Sequence, residues 1–383
     1  MGEIKKIKNV VINNVVPLNN GDVALFLSLY YALIEKGYTV KIAAYHIREA
    51  KQAYPNLPLF PELCQGFLFR KLPFLKKYIL PFSFRFNKAY RNADLIIGAP
   101  GGYINSYYSI KSSLNIFKIA KRNNKKTAIY SQSVGPLNEQ DSLLFTSLMK
   151  NAIDFILVRD QFSKDTMERL EINKSKYKLT KDAAFLLGFE ATPIPNKKKI
   201  AFSVREWRDD NRDVTAFKSM IKEMVISAID NGYSVDFLST CQGIESYKND
   251  AIIATEIYNE LPHSYQKKSN VLSDYYNFHA FYEKLEEYQM VVGTRLHMCI
   301  TALTKGIPAL NISYEIKGKE CYNYLDLAEY SIDYNEPNQS ALKCFNTFLD
   351  NQESIRTQLK TTIPKIHSEV KMDFAYFLGK ISS

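Results

Sequence analysis

Two side chains suited to anion chemistry stand two positions apart in Gly293-Thr294-Arg295-Leu296-His297. Val291 and Val292 end a buried strand, and Gly293 allows the sharp exit. Thr294 is the expected N-cap of a helix whose apolar face is Leu296, Ile300 and Leu303, spaced i, i+4, i+7. Gly306 closes that helix in the left-handed position, and Pro308 prevents its continuation. Arg295 and His297 therefore fall in the first helical turn, beside open backbone N–H groups and the positive end of the dipole. A permanent cation, a titratable imidazole and a helix N-terminus together describe an anion site. Lys317, just past the next strand, can close on the same ligand. A lone Arg or His in such a turn is ordinarily a surface or capping group; the joint pattern is what points to chemistry.

Other candidates fall at the ends of other strands. Arg205 follows the strand at 200–204, and Ser239 and Thr240 follow the one at 234–238. Near the N-terminus, Asn19-Asn20-Gly21-Asp22 lies between a short strand and a long helix. It reads either as a turn with an Asp N-cap or as a polar loop in which Asn20, Gly21 and Asp22 meet a ligand. Gly101 and Gly102 follow the strand ADLIIGA and either form a plain turn or let backbone approach a ligand closely. A strand at 127–131 ends at Ser131, whose hydroxyl joins the same group. Arg159 and Asp160 are expected to cap or pair locally.

Taken strand by strand, the chain opens as strand 10–13, helix 23–36 ended by Gly37, and strand 38–44. Strand–helix alternation continues to about residue 190, which is the pattern of a doubly wound sheet. Residues 192–199, TPIPNKKK, read as an interdomain linker. The alternation then restarts, with a helix at 214–231 ended by Gly232 and helices filling most of 247–289. The expected domains are 1–191, 200–336, and a helical tail at 337–383 that packs back on the first. In open α/β sheets ligands bind beyond the strands' carboxyl ends, which is where every candidate above falls.

The 383 residues are 46% hydrophobic, enough for real cores, and carry a net charge of +10. That charge leaves anionic substrates, membrane surfaces and nucleic acid open, but no nucleic-acid module is visible. No apolar run is long enough to span a bilayer, and the N-terminus enters a strand without a signal-peptide core. Cysteines at 64, 241, 299, 321 and 344 form no CxxC pair, so reduced cytosolic thiols are expected, with neither a disulfide framework nor a metal site. The 26 tyrosines suit sugar stacking or interfaces.

Residues 66–91 are the most biased stretch, with seven Lys or Arg, six Phe and no acid. They read either as a basic helix pair covering the sheet or as an interfacial surface, with aromatics among headgroups and cations on anionic lipid.

The chain resembles the polysaccharide pyruvyl transferase family. The resemblance rests on NNGDVALFLSLYYALIEKGY, ADLIIGAPGGY, SQSVGP, VRDQFSKDTMERL, KDAAFLL, SVREW and VVGTRLHMCITALTKGIPALNISYEIK, in the family's order over roughly residues 10–330. GTRLH with the following GIP and YEIK is the most specific part. APGG departs from a glycine-richer turn, and Pro100 offers no N–H. The resemblance implies a GT-B-like fold, two Rossmann-like domains with parallel sheets facing a central cleft. It implies phosphoenolpyruvate as donor, a sugar hydroxyl pair as acceptor, and a pyruvate ketal in a surface polysaccharide, capsular or exopolysaccharide.

On that reading Arg205, Arg295, His297, Lys317, Ser239 and Thr240 bind the donor. Asn20, Gly21, Asp22, Gly101, Gly102 and Ser131 face the acceptor. His297 is the acid or the phosphate's proton donor and Asp22 the base, with no cofactor beyond the co-substrate and no metal. A lipid-linked acceptor would place the enzyme in the cytoplasm, at the inner face of the membrane. Two rivals remain: a nucleotide-sugar glycosyltransferase of the same fold, with Glu315 or Glu320 on the ribose, and an inactive basic protein docking anionic lipid or polymer.

Overall fold

The structure, a computed structural model, describes residues 7–65, 71–208, 211–244 and 247–382. The chain divides into two compact units. The first takes Met1–Pro17, Leu25–Leu186 and Glu369–Ser383; the second takes Leu18–Ala24 and Leu187–Ser368. The Asn19–Asp22 turn thus groups with the second unit, not with the domain whose helix it opens.

The first unit is built on strands β1 (Asn9–Val15), β2 (Thr39–Ala44), β3 (Leu59–Pro61), β4 (Leu95–Gly98), β5 (Gly101–Ile104), β6 (Lys126–Val134), β7 (Phe155–Val158) and β8 (Tyr177–Leu179). They run in the order β3-β2-β1-β4-β6-β7-β8, with β5 beside β6, and every pairing is parallel. Such a sheet needs helices on both faces, and its central strands are apolar throughout: β4 and β7 are buried at every position.

The second unit holds β9 (Lys199–Ser203), β10 (Ser234–Phe237), β11 (Ser269–Val271), β12 (Met290–Gly293), β13 (Ala309–Ser313) and β14 (Ser331–Asp333). Their order is β11-β10-β9-β12-β13-β14, again all parallel. The strand order reverses between β9 and β12. That reversal is the switch point at which doubly wound sheets open a crevice for ligands.

Helix ends follow the punctuation of the sequence. The Asn20–Glu35 helix stops before Gly37 (φ 79°), and the Val214–Asp230 helix before Gly232 (φ 84°). The tail is a helix from Asn338 to Asp350 and a long one from Gln352 to Ser382. On the long helix Ile355, Leu359, Ile363, Ile366, Val370, Phe374, Phe377 and Ile381 are buried, a stripe at three- and four-residue steps. Its last turns belong to the first unit, where Phe377 packs edge-on to Tyr130 at 5.1 Å. Among the described residues no helix is long and apolar enough to cross a membrane.

Candidate active site

The second unit gathers most of the predicted residues at the carboxyl edge of its sheet. Arg205 leaves β9, Ser239 and Thr240 follow β10, Arg295 follows β12, and Lys317 lies four residues past β13. The Asn20 N–H donates to the Thr240 carbonyl at 2.7 Å, and its side-chain amide donates to the Tyr276 carbonyl at 2.9 Å. That anchors the Asn19–Asp22 turn on this edge. Asn19 orders the turn from within: its Oδ1 accepts the Gly21 N–H at 3.0 Å, and its Nδ2 donates to Asp22 Oδ2 at 3.0 Å.

Gly21 and His297 are in close approach. A Cβ on Gly21 would stand 2.9 Å from His297 Cβ and 3.1 Å from Nδ1. The glycine is thus required by space, and the residue after it is Asp22. His297 is half-buried in the second position of the Leu296–Thr304 helix.

That helix begins one residue later than the sequence suggests, and Thr294 is not its cap. The Thr294 hydroxyl donates to the Ser203 carbonyl at 3.1 Å, and its N–H to the same oxygen at 2.8 Å, which ties β12 to β9. Arg295 takes the N-cap position without a side-chain cap bond. Gly306 is left-handed as expected, at φ 72°.

Three of the predicted ligand residues are committed to the protein itself. The Arg295 guanidinium is buried and forks onto Asp250, Nε to Oδ2 at 2.8 Å and Nη2 to Oδ1 at 2.7 Å. Burial works against its charge, but Asp250 outweighs this and raises its pKa above the usual guanidinium range. Nε and Nη2 of Arg295 are thus already engaged within the protein. Ser239 is buried and its hydroxyl bonds Asp250 as well. Ser131 is fully buried in the first unit, with a left-handed backbone (φ 46°) and its hydroxyl on the Lys181 carbonyl at 3.0 Å. It offers an acceptor nothing.

Arg205 is better placed for a ligand. Its guanidinium is half-buried, 4.7 Å from the Trp207 ring and 5.0 Å from the Tyr314 ring, and donates to the Tyr314 hydroxyl at 2.5 Å. These rings hold the fork without neutralising it. Lys317 pairs with Glu315 at 2.6 Å. Burial raises the Tyr314 pKa; Glu315 adds to the rise, while Arg205, Lys317 and Arg295 oppose it, so all four charges bear on one phenol.

Sequence reasoning missed Asp250 and Lys248. The Lys248 side chain is largely exposed. Local desolvation first, and then the guanidiniums of Arg205 and Arg295, lower its pKa. Among the described residues no carboxylate pairs with it. Cys241 lies among the same charges, and burial pushes its thiol up to about 11, which leaves it an inert neighbour near neutral pH. Two buried polar atoms of the site, Asn20 Oδ1 and Thr240 Oγ1, have no hydrogen-bond partner among the described residues.

Gly101 and Gly102 lie in the first unit, in β5, where Gly101 pairs with Gln132 and the Gly102 carbonyl accepts from Asn105 at 2.7 Å. Arg159 and Asp160 are structural: Arg159 pairs with buried Asp182 at 2.7 Å, and Asp160 caps the Gln161–Arg169 helix through the Ser163 N–H.

The profile of the polysaccharide pyruvyl transferase family matches residues 19–316, from the Asn19 turn to just past β13. The chain belongs to that family. It is accordingly a transferase of pyruvyl groups acting in polysaccharide synthesis. The chain is 25% identical to the amylovoran biosynthesis protein AmsJ of Erwinia amylovora over 325 residues, 80% of this chain and 77% of AmsJ. Among solved structures it is similar to HepE of Anabaena in complex with UDP-glucose, with a TM-score of 0.62 at 10% identity, covering 98% of this chain and 100% of HepE. It is also similar to sucrose-phosphate synthase of Thermosynechococcus elongatus, with a TM-score of 0.62 at 12% identity over 98% and 99% of the two chains. At such identities the likeness is one of fold, and the fold of this pyruvyl transferase is GT-B-like, with two Rossmann-like domains.

Proposed function

We propose that the donor is phosphoenolpyruvate and the product a pyruvate ketal on two hydroxyls of one sugar. The acceptor is a lipid-linked oligosaccharide of a surface polysaccharide, presented at the inner face of the cytoplasmic membrane. The observation that carries the donor assignment is the cationic edge at the switch point, Arg205 with Lys248 beside the Arg295–Asp250 pair. Phosphoenolpyruvate carries a phosphate and a carboxylate on three carbons, so it calls for a fork and a second cation. Arg205 supplies the fork and Lys248 a point charge for phosphate, while Arg295 acts through the pocket it orders. The name of AmsJ, an amylovoran biosynthesis protein, favours an exopolysaccharide as the destination.

His297 protonates C3 of the enol, and the electrons of the C2–C3 double bond form the new C–H bond. C2 becomes an oxocarbenium, and the first sugar hydroxyl adds to it while Asp22 takes the hydroxyl proton. The bond from C2 to the phosphate oxygen breaks, with its electrons leaving on phosphate, which accepts the proton from Asp22. The second hydroxyl closes the ketal, and its proton restores the imidazolium. Acid, base and anion clamp are all side chains of this chain.

Two measurements test this. Phosphoenolpyruvate should raise the melting temperature and uridine diphosphate should not, because a ligand stabilises only the fold that binds it. Phosphate release should match pyruvate incorporated when lipid-linked oligosaccharides are screened as acceptors. Stabilisation by uridine diphosphate alone would replace the donor with a nucleotide sugar.

A further inference from the structure

We propose that residues 71–91 form a docking face for an anionic lipid bilayer. The 3₁₀ turn Pro73–Leu75 runs into the Lys76–Phe86 helix, and the short Lys88–Asn92 helix follows. Residues 66–70, the start of the biased stretch, lie outside the described residues. Phe74, Tyr78, Phe82 and Phe86 recur at every fourth position and are 61%, 68%, 64% and 64% exposed. Four-residue spacing puts Tyr78, Phe82 and Phe86 along one face of the Lys76–Phe86 helix, and the Phe82 and Phe86 rings touch at a centroid distance of 4.3 Å. Single exposed apolar residues are ordinary, but three large aromatics in a row on one helix, continued by Phe74 in the turn before it, are not.

The row is not a displaced core. The helix pair is already fastened inward by Phe84 and Tyr90, both buried, with centroids 5.0 Å apart, and Phe60 meets Tyr90 at 5.4 Å. Phe84 and Tyr90 belong to an apolar core cluster of the first unit, and Phe60 packs against it. In the same stretch Lys71, Lys77, Arg85, Lys88 and Arg91 are exposed, and Lys77 Nζ stands 5.7 Å from the Tyr78 ring centroid. No acid occurs between Glu62 and Asp94.

The occupant follows from this chemistry. A helix lying in a membrane interface sets aromatics at the headgroup–acyl boundary and Lys and Arg on anionic headgroups. An acidic protein or polymer would satisfy the cations and leave the aromatics in water. A second copy of this face would oppose like charges. The inference rests on this helix alone and is independent of the donor assignment.

Flotation of the full chain tests it. Vesicles of phosphatidylcholine mixed with phosphatidylglycerol should carry the protein at low salt; vesicles of phosphatidylcholine alone should not, and high salt should weaken the binding. The double variants Phe82→Ser with Phe86→Ser, and Lys77→Glu with Arg85→Glu, should each cut the bound fraction about tenfold or more. Their melting temperature should stay unchanged, because all four side chains are exposed. Flotation without phosphate release from phosphoenolpyruvate would support docking while removing the donor reading. Absence of flotation on anionic vesicles, or equal flotation of both variants, overturns the proposal. So does a dimer that the Phe variant dissociates in a protein that never floats.

Discussion

Arg295 grips Asp250 with both arms of its guanidinium, at 2.8 and 2.7 Å, and both side chains are almost wholly shielded from solvent. Removing one partner of such a pair leaves the other charge buried and uncompensated, a loss of about 3–5 kcal/mol. Asp250→Asn should therefore lower the unfolding free energy by roughly that amount and also raise the donor KM, since Ser239 bonds the same carboxylate. Arg295→Lys keeps the charge but cannot span two oxygens, so it should fall between wild type and Asp250→Asn. Chemical unfolding with donor kinetics on both variants checks this. Unaltered stability in Asp250→Asn would show that the pair does not organise the site.

Gly21 gives a second handle. Its missing Cβ is what lets His297 sit where it does, because the added atom would meet His297 Cβ at 2.9 Å. Gly21→Ala should displace the imidazole and lower kcat by about a hundredfold, the cost of a misplacement of about 1 Å, with little change in donor KM. His297→Ala, which removes the proposed proton donor outright, should cost about 10²–10⁴-fold. Wild-type kcat in Gly21→Ala would mean that the histidine's position is not critical.

Both relationships mark the boundary of what is legible in sequence. The Leu296–Thr304 helix and its left-handed Gly306 were legible because apolar spacing and a glycine–proline stop are local signals. Asp250 was not, because it lies 45 positions from Arg295 and only the packed fold brings the two together. Thr294 was misread for a related reason: its hydroxyl can cap a helix or bond a neighbouring strand, and Ser203 supplies the strand. The three-residue strands β3, β8, β11 and β14 are too short to show a period of two. The aromatic stripe at 74, 78, 82 and 86 was visible as composition, but its outward direction depends on Phe84 facing the core.

Arg205 should bind the donor through its planar fork, which lies against the Trp207 and Tyr314 rings. Arg205→Lys preserves charge but loses the second parallel bond and the stacking. A charged hydrogen bond contributes on the order of 1.5–3 kcal/mol, so donor KM should rise about 10- to 100-fold with kcat less affected. Steady-state kinetics with the acceptor saturating separates the two. An unchanged KM would place the donor elsewhere.

Glu62 makes the first unit's stability depend on pH. It is fully buried; desolvation raises its pKa to about 7, against the lowering contributions of the Asn14 and Leu63 N–H groups, the Tyr90 hydroxyl and Lys76. The folded state therefore binds a proton near pH 6 that the unfolded chain, with an ordinary carboxyl, has released. The contribution is fully present below the unfolded pKa of about 4.5 and is lost as pH rises through about 7. A tenfold difference in proton affinity between the folded and unfolded chains is worth about 1.4 kcal/mol, so about 3 kcal/mol of stability is at stake across that window. Glu62→Gln mimics the neutral carboxyl and should remove the dependence, matching wild type near pH 5 and exceeding it near pH 8. Unfolding midpoints over about pH 5–8 read this directly as the difference between the two proteins, which cancels every other titrating group. Parallel curves would mean that Glu62 is already ionised in the fold.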